Sequence, residues 1–406
     1  MFGWVSQKNK KRIYLDYAAA TPVRPEVMRA MMPFFSEQFA NAGAIHAQGQ
    51  EAKSALTKAR EEIASVLRVR PAGVIFTGSG TESNNIALLG CIAHHKSEGR
   101  EYSQMEVVTS AIEHASILSV CSHLESLGVK VHYLVPDTEG IVSTSSLESS
   151  LTPNTVAVAL GYVNSEIGVV QPITKLARVV RAKEKEFGTQ VLVHVDAAQA
   201  PLWLPCALDA LLCDTLSLDA GKCYGPKGVG VLAMTHNTKL APTLFGGGQE
   251  TGLRAGTENI ALIVGAVASI TIAQKHYKER VEKVAALRDG FFKLLLGIDG
   301  VVVNGSRTAR VANNVHISIP GVESEFAVVT LSRDGIDAAT KSACGGAKGE
   351  GSSVVRTLFS DSARALSTIR FTLGEETTLA ELSQTVALLS THVEKTKAVL
   401  AKLTQS

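Results

Sequence analysis

Seven short apolar runs separated by helix-length segments constrain this chain more than any other feature. The runs are "GVIFTG", "MEVVTSA", "VKVHYLV", "TVAVALGYV", "QVLVHVDAA", "DTLSLD" and "GVGVLAM". Their apolar residues follow one another instead of alternating with polar ones, so both faces of each strand must be buried. A mainly parallel sheet of seven strands, covered by helices on both faces, satisfies that demand, and the fold class is α/β. The stretch "HAQGQEAKSALTKAREEIASVL" reads as one covering helix, with its lysines and glutamates on the wet face.

After residue 265 the pattern changes to α+β. "VHISIP", a helix from about Glu323 to Ser332, "GIDAAT", "TIRFTLG" and an amphipathic helix from about Leu379 to Leu403 follow in turn. The run "TIAQKHYKERVEKVAALRDGFFKLL" is expected to connect the two parts as one long helix. The expected domains are therefore 13–265, large, and 266–406, small, with residues 1–12 packing near the small one. A net charge of +2 with 19% charged residues argues against an extended nucleic-acid or membrane surface, and the basic run "KNKKR" reads as solvated. No signal-peptide pattern and no apolar run of membrane-spanning length occurs, which places the expected site of action in the cytoplasm. The six cysteines form no CxxC pair, so a structural zinc site is not expected and reduced thiols are.

Four windows could carry chemistry. In "SLDAGKCYGPKG", Lys222 sits between an apolar run and a constrained turn, where a lysine is either a surface charge or a nucleophile with a lowered pKa. In "FTGSGTESNNIALLG", a strand enters a Gly-Ser-Gly-Thr turn and then a helix. That turn, with Gly80 and Thr81, is either a phosphate cradle or a plain helix cap. In "LVHVDAAQA", Asp196 ends an apolar strand and Gln199 follows. The carboxylate there is placed to hold a cationic ligand nitrogen or to cap the next element. In "TSAIEHASI", His114 stands just past a strand end, where a ring can stack on a planar ligand or move protons, or be structural.

Taken together and in order, these windows resemble pyridoxal-phosphate enzymes of the class V aminotransferase group, and more closely the cysteine desulfurases of the iron-sulfur assembly type. "YLDYAAATPVRPEV", "FTGSGTESNNIA", "NSEIGVVQPI", "HVDAAQA", "YGPKGVG", "FGGGQETGLRAGTEN", "KSACGG" and "STIRFTLGEETT" carry the resemblance from about residue 13 to the C-terminus. It implies the type I pyridoxal-phosphate-dependent transferase fold. It also implies a cofactor, pyridoxal 5'-phosphate, borne by Lys222 as a Schiff base. Asp196 would keep the pyridine nitrogen protonated, Gln199 and Ser165 would lie near the ring hydroxyl, and His114 would stack on the ring and assist proton transfer as a catalytic residue with Lys222 and Cys344. Gly80, Thr81 and Thr257, the last from the partner subunit of a homodimer, would hold the phosphate. Asn41 and Arg370 would receive the substrate carboxylate.

Cys344, in the glycine-bearing "TKSACGGAKGEGSS", would take sulfur from L-cysteine as a persulfide, leave alanine, and pass the sulfur to an iron-sulfur scaffold or another acceptor protein. The resemblance leaves two other readings open: a lyase acting on selenocysteine or another β-substituted amino acid, and a divergent non-catalytic paralogue. The second is motivated by three departures from the family pattern. Asp219 and Gly221 stand where a serine and a histidine usually bind the phosphate, and Ser165 stands where an asparagine is usual. A carboxylate within about 4 Å of a phosphate repels it by roughly 4 kcal/mol at an effective dielectric near 20. Arg254 or Lys227 is a candidate cation to offset it.

Overall fold

The computed structural model describes residues 12–340 and 351–403. The seven expected strands are all present: β1 (Val74–Thr77), β2 (Glu106–Ser110), β3 (Lys130–Leu134), β4 (Thr155–Gly161), β5 (Leu192–Asp196), β6 (Thr215–Asp219) and β7 (Gly230–Met234). They form one sheet in the order β1-β7-β6-β5-β4-β2-β3. β2, β3, β4, β5 and β6 pair in parallel, whereas β7 runs antiparallel to both β6 and β1.

Every residue of β1, β2 and β4 is buried, as continuous apolar runs demand. Helices Gly80–Ser97 and Ala115–Ser126 pack on the sheet through Leu88, Ile92, Ile117, Cys121 and Leu124 against Val107, Val156 and Ala157. Each leucine, isoleucine or valine among them contributes about 1.5–3 kcal/mol on burial. After β2 the chain goes outward to β3 and then returns to β4 on the other side of β2. Strand order reverses there, so the carboxyl ends of β4 and β2 border the crevice in which such sheets bind ligands.

The chain divides into two compact units. The larger covers 20–165 and 169–280, and the described part of the smaller covers 12–19, 166–168, 281–340 and 351–403. The boundary thus falls at 280/281 and not at 265/266. Helix Ile260–Lys275 stays with the larger unit because Ile260, Ile263, Val267 and Ile270 are buried in that unit's core. Residues 13–19 go with the smaller unit instead, since Ile13 and Tyr14 pair in parallel with Ile336 and Asp337 and Asp16 bridges to Thr372. The expected connector is not one helix: it breaks at His276, between Ile260–Lys275 and Tyr277–Leu295. In the smaller unit, strand Asn314–Ser318 lies between Thr368–Thr372 and Val302–Val303, all antiparallel.

Candidate active site

Seven of the expected residues of the larger unit stand at or just beyond carboxyl ends of its strands. Asp196 is the last residue of β5 and Asp219 the last of β6, with Lys222 three residues on. His114 follows β2, and Gly80 follows β1 at the first position of helix Gly80–Ser97. Ser165 and Gln199, both half-buried, lie in the turns after β4 and β5. Thr81, Asn41 and Thr257 are exposed.

The turn carrying Lys222 is fixed from several sides. The Thr21 hydroxyl donates to the Gly221 carbonyl (3.0 Å) and accepts from the Tyr224 N–H (2.7 Å). Gly225 N donates to the Ala220 carbonyl at 2.9 Å. Lys222 itself is half-buried at the end of a 3-10 turn, Ala220–Lys222, a place unlike that of a freely solvated surface lysine. Cys223, beside it, is a packed neighbour: its thiol faces the Ala220 carbonyl at 3.4 Å, and burial pushes its pKa up to about 12.

Asp196 and His114 are joined by a network that no sequence motif announced. The Asn84 amide nitrogen donates to Asp196 Oδ2 (2.7 Å) and to Ser116 Oγ (2.8 Å). Ser116 Oγ in turn lies 2.8 Å from His114 Nδ1, which also accepts from the Ser116 N–H at 3.2 Å. A nitrogen that accepts a backbone N–H carries no proton, so neutral His114 is the Nε2–H tautomer. The other Asp196 oxygen accepts from the Ala198 N–H at 3.0 Å. Asn84 Oδ1 faces His194 Nε2 at 3.0 Å, and His194 Nδ1 lies 2.9 Å from the Thr215 hydroxyl. Burial lowers His194 to about 3, so this ring is neutral and donates its Nε2 proton to Asn84. One directional clue was available: His194 and Asp196 are two residues apart on one strand and share a face.

Glu113, next to His114, accepts from the Gly161 N–H at 2.8 Å. Burial lifts its pKa to about 8, with the Gly161 N–H opposing the rise and Asp196 adding to it. A second carboxyl group thus stands near Asp196 without a full charge at neutral pH.

The glycine turn after β1 is both cradle and cap. Ser79 Oγ caps the helix by accepting from Glu82 N at 3.2 Å, and Gly78 N donates to Glu82 Oε2 at 2.7 Å. A Cβ at Gly230 would lie 2.5 Å from the Ser79 carbonyl carbon, so only glycine lets β7 start under this turn. Gly80 N donates to Asp219 Oδ2 at 3.2 Å, while Asp219 Oδ1 accepts from Gly221 N at 2.9 Å. Asp219 is therefore not turned away from the cradle: its carboxylate sits in it. Neither expected cation has a hydrogen bond to it, since Arg254 Nε donates to Glu82 Oε1 (2.8 Å) and Lys227 Nζ to the Thr21 carbonyl (3.3 Å).

Against pyridoxal phosphate, the ring end fits: an oriented aspartate, an oriented histidine and a half-buried amine all follow carboxyl ends of strands in the one sheet. The phosphate end is a cradle of the right construction whose Gly80 and Gly221 donors are already engaged by a carboxylate.

In the smaller unit, Arg370 is 2% exposed and its Nη2 donates to Asp16 Oδ1 at 2.7 Å. Its N–H and carbonyl also pair with Ala339, at 2.7 and 3.1 Å. Ser352 donates to the buried Glu166 carboxylate through its hydroxyl and to the Ala365 carbonyl through its N–H. Cys344 lies outside the described residues. The five described cysteines, Cys91, Cys121, Cys206, Cys213 and Cys223, are buried and free. Burial raises all their pKa values, to about 12 for Cys91, Cys121 and Cys213 as for Cys223.

Residues 13–384 match the model of the family described as Aminotransferase class-V. A protein of Dictyoglomus turgidum named cysteine desulfurase IscS is 38% identical over 391 residues, 96% of each chain. Cysteine desulfurase 2 of Trichormus variabilis is 36% identical, covering 95% of this chain and 94% of that one. Among solved structures, a NifS-like protein superposes with a TM-score of 0.87 at 31% identity, covering 94% of this chain and 99% of its own. A structure titled SspA in complex with cysteine gives 0.76 at 32% identity, with 90% and 100% covered.

Proposed function

The chain belongs to the class V aminotransferase family, and from that premise we propose that it is a pyridoxal-phosphate-dependent cysteine desulfurase. The reaction takes L-cysteine to L-alanine and leaves its sulfur as a persulfide on Cys344. The observation that carries the reading is the fixed pair of Asp196 and His114, tied through Asn84 and Ser116 at the carboxyl ends of β5 and β2, beside the turn that presents Lys222.

Bound here, the cofactor supplies an aldehyde for the lysine and an electron-poor ring that accepts the electron pair of the substrate Cα–H bond. Lys222 Nζ would hold the cofactor's aldehyde group and serve as the base that takes the substrate α-proton. Asp196, held by the Asn84 and Ala198 donors, keeps a proton on the ring nitrogen. His114 presents Nε2–H, because Nδ1 is committed to Ser116. Arg370 and Asn41 are the proposed receivers of the substrate carboxylate. The Cys344 thiolate attacks the substrate sulfur, the Cβ–S bond breaks, and its electron pair goes to the carbon that becomes the alanine methyl. One cysteine and one thiol give one alanine and one persulfide, with no external oxidant.

Three finer points belong to the same proposal. An acceptor protein, an iron-sulfur scaffold among the candidates, takes the sulfur. The working form is a homodimer in which Thr257 completes the partner's phosphate site. Large apolar side chains left exposed, Ile45 at 95% and Phe245 at 82%, support a protein-covered surface near the Asn41 and Thr257 segments. Five described cysteines without a disulfide support a reducing compartment, the cytoplasm. A divergent paralogue without catalysis is the second reading, favoured by the Asp219 carboxylate in the cradle. Purified protein should be yellow, lose that colour in Lys222→Ala, and release alanine from L-cysteine. In Cys344→Ala the persulfide should be absent. A colourless protein that takes up no added cofactor refutes the desulfurase reading, and unchanged turnover in Cys344→Ala points to the selenocysteine-type lyase.

A further inference from the structure

We propose that Asp219 is an internal occupant of the phosphate seat, and that it sets how strongly this chain prefers the phosphorylated over the unphosphorylated form of its cofactor. The proposal rests on the cofactor use read above. The carboxylate bridges the glycine turn after β1 and the Lys222 turn, with Oδ2 on the Gly80 N–H (3.2 Å) and Oδ1 on the Gly221 N–H (2.9 Å). A phosphate can take the Gly80 donor only after Asp219 leaves it. If the carboxylate stays, two anions stand within about 4 Å of each other.

The surrounding charges are arranged for the carboxylate, not for a second anion. Arg254, the nearby guanidinium, is committed to Glu82, whose other oxygen takes the Gly78 N–H. Lys227 reaches the Thr21 carbonyl. Gly221 completes the arrangement: a Cβ there would lie 3.2 Å from Asp219 Oδ1 and 3.3 Å from Lys227 Cγ, so a bulkier residue crowds the carboxylate in its present position. The two departures from the family pattern are thus coupled. Thr81, exposed on the same turn, remains as a donor for a phosphate that displaces Asp219. The ring end contains none of these groups. Pyridoxal, which has no phosphate, meets Asp196, His114 and Lys222 without contesting the seat. Loading with the phosphorylated form then follows its free concentration and does not stay saturated.

The test uses full-length protein freed of cofactor and titrated with pyridoxal 5'-phosphate and, separately, with pyridoxal. Visible absorbance gives the affinities of wild type, Asp219→Ser and Asp219→Asn. Borohydride trapping followed by peptide mass shows attachment at Lys222. The asparagine variant keeps the shape and the capping oxygen, which guards against a folding defect. Both substitutions should tighten binding of the phosphorylated form on the order of 100-fold and change pyridoxal binding by less than about threefold. Equal preference in all three proteins overturns the proposal while leaving the cofactor reading intact. If neither form attaches to Lys222 in any of the three proteins, the cofactor reading falls and the proposal with it.

Discussion

Acidification provides a direct test of the network behind Asp196. His194 is buried in β5 and its pKa is lowered from 6.5 to about 3, so it is neutral in the folded chain. Below about pH 6.5 the unfolded chain takes up a proton on this ring that the folded chain refuses, and stability falls as pH falls. The slope is about 1.4 kcal/mol per pH unit, and between pH 7 and pH 5 it integrates to about 2 kcal/mol. Glu113 acts with the opposite sign. Its pKa is raised from 4.5 to about 8, so the cost of keeping it protonated in the folded chain disappears as pH falls from 8 toward 4.5. The two contributions oppose each other, and a flat wild-type profile over this range would be no evidence against either. The informative quantity is the difference between wild type and His194→Gln. Urea unfolding at pH 7 and pH 5 would be followed by Trp203 fluorescence in a Trp4→Phe background, the chain having two tryptophans. His194→Gln, which lowers stability at pH 7, should be relatively better off at pH 5 by about 2 kcal/mol. An identical pH response in the two proteins would refute a buried neutral His194, and with it the direction of the hydrogen bond to Asn84.

Two further outcomes follow from the same geometry. Asn84→Ala removes the acceptor of the buried His194 N–H and donors to Asp196 and Ser116, and should lower unfolding free energy by about 3 kcal/mol, read as the shift in urea midpoint. A loss below about 1 kcal/mol would mean that the amide does not organise the pair. The five buried thiols predict selective alkylation: at pH 8, iodoacetamide should modify Cys344 at least about 100-fold faster than Cys91, Cys121, Cys206, Cys213 or Cys223, measured by peptide mass. Comparable labelling of Cys223, whose neighbour is Lys222, would overturn its reading as a packed residue.

The strands were legible because burial on both faces writes itself as uninterrupted apolar runs, and all seven were found. Strand ends were legible for the same reason, which is why the sequence alone puts Asp196, His114 and Lys222 at or after strand ends. What lay outside that signal was every feature set by side chains meeting from different elements. Asn84 lies one turn into a helix, Ser116 in the next helix and His194 mid-strand, and no spacing in the chain links them. The break at His276 was missed because the helical periodicity continues through it. The boundary at 280/281 was missed because helix Ile260–Lys275, sequentially close to the smaller unit, is held by packing in the larger.

Asp219 shows how far the sequence could be pressed at a single position. Read along the chain, it is a charge in the wrong place, and its only consequence is repulsion. In the fold it has a second role, because the same carboxylate caps the Lys222 turn at Gly221 and ties that turn to the helix start at Gly80. Without cofactor, a serine in its place would leave at least one of these N–H groups without its acceptor, at about 1 kcal/mol or more. The residue proposed to compete with phosphate therefore also ties the two turns of the cradle together. The consequence is a trade: Asp219→Ser should bind the phosphorylated cofactor more tightly from a less stable apoprotein, and its gain in stability on loading should exceed that of the wild type. Linkage supplies the second half of the trade, because a lower Kd gives a larger stability gain at the same cofactor concentration; the lost acceptor supplies the first.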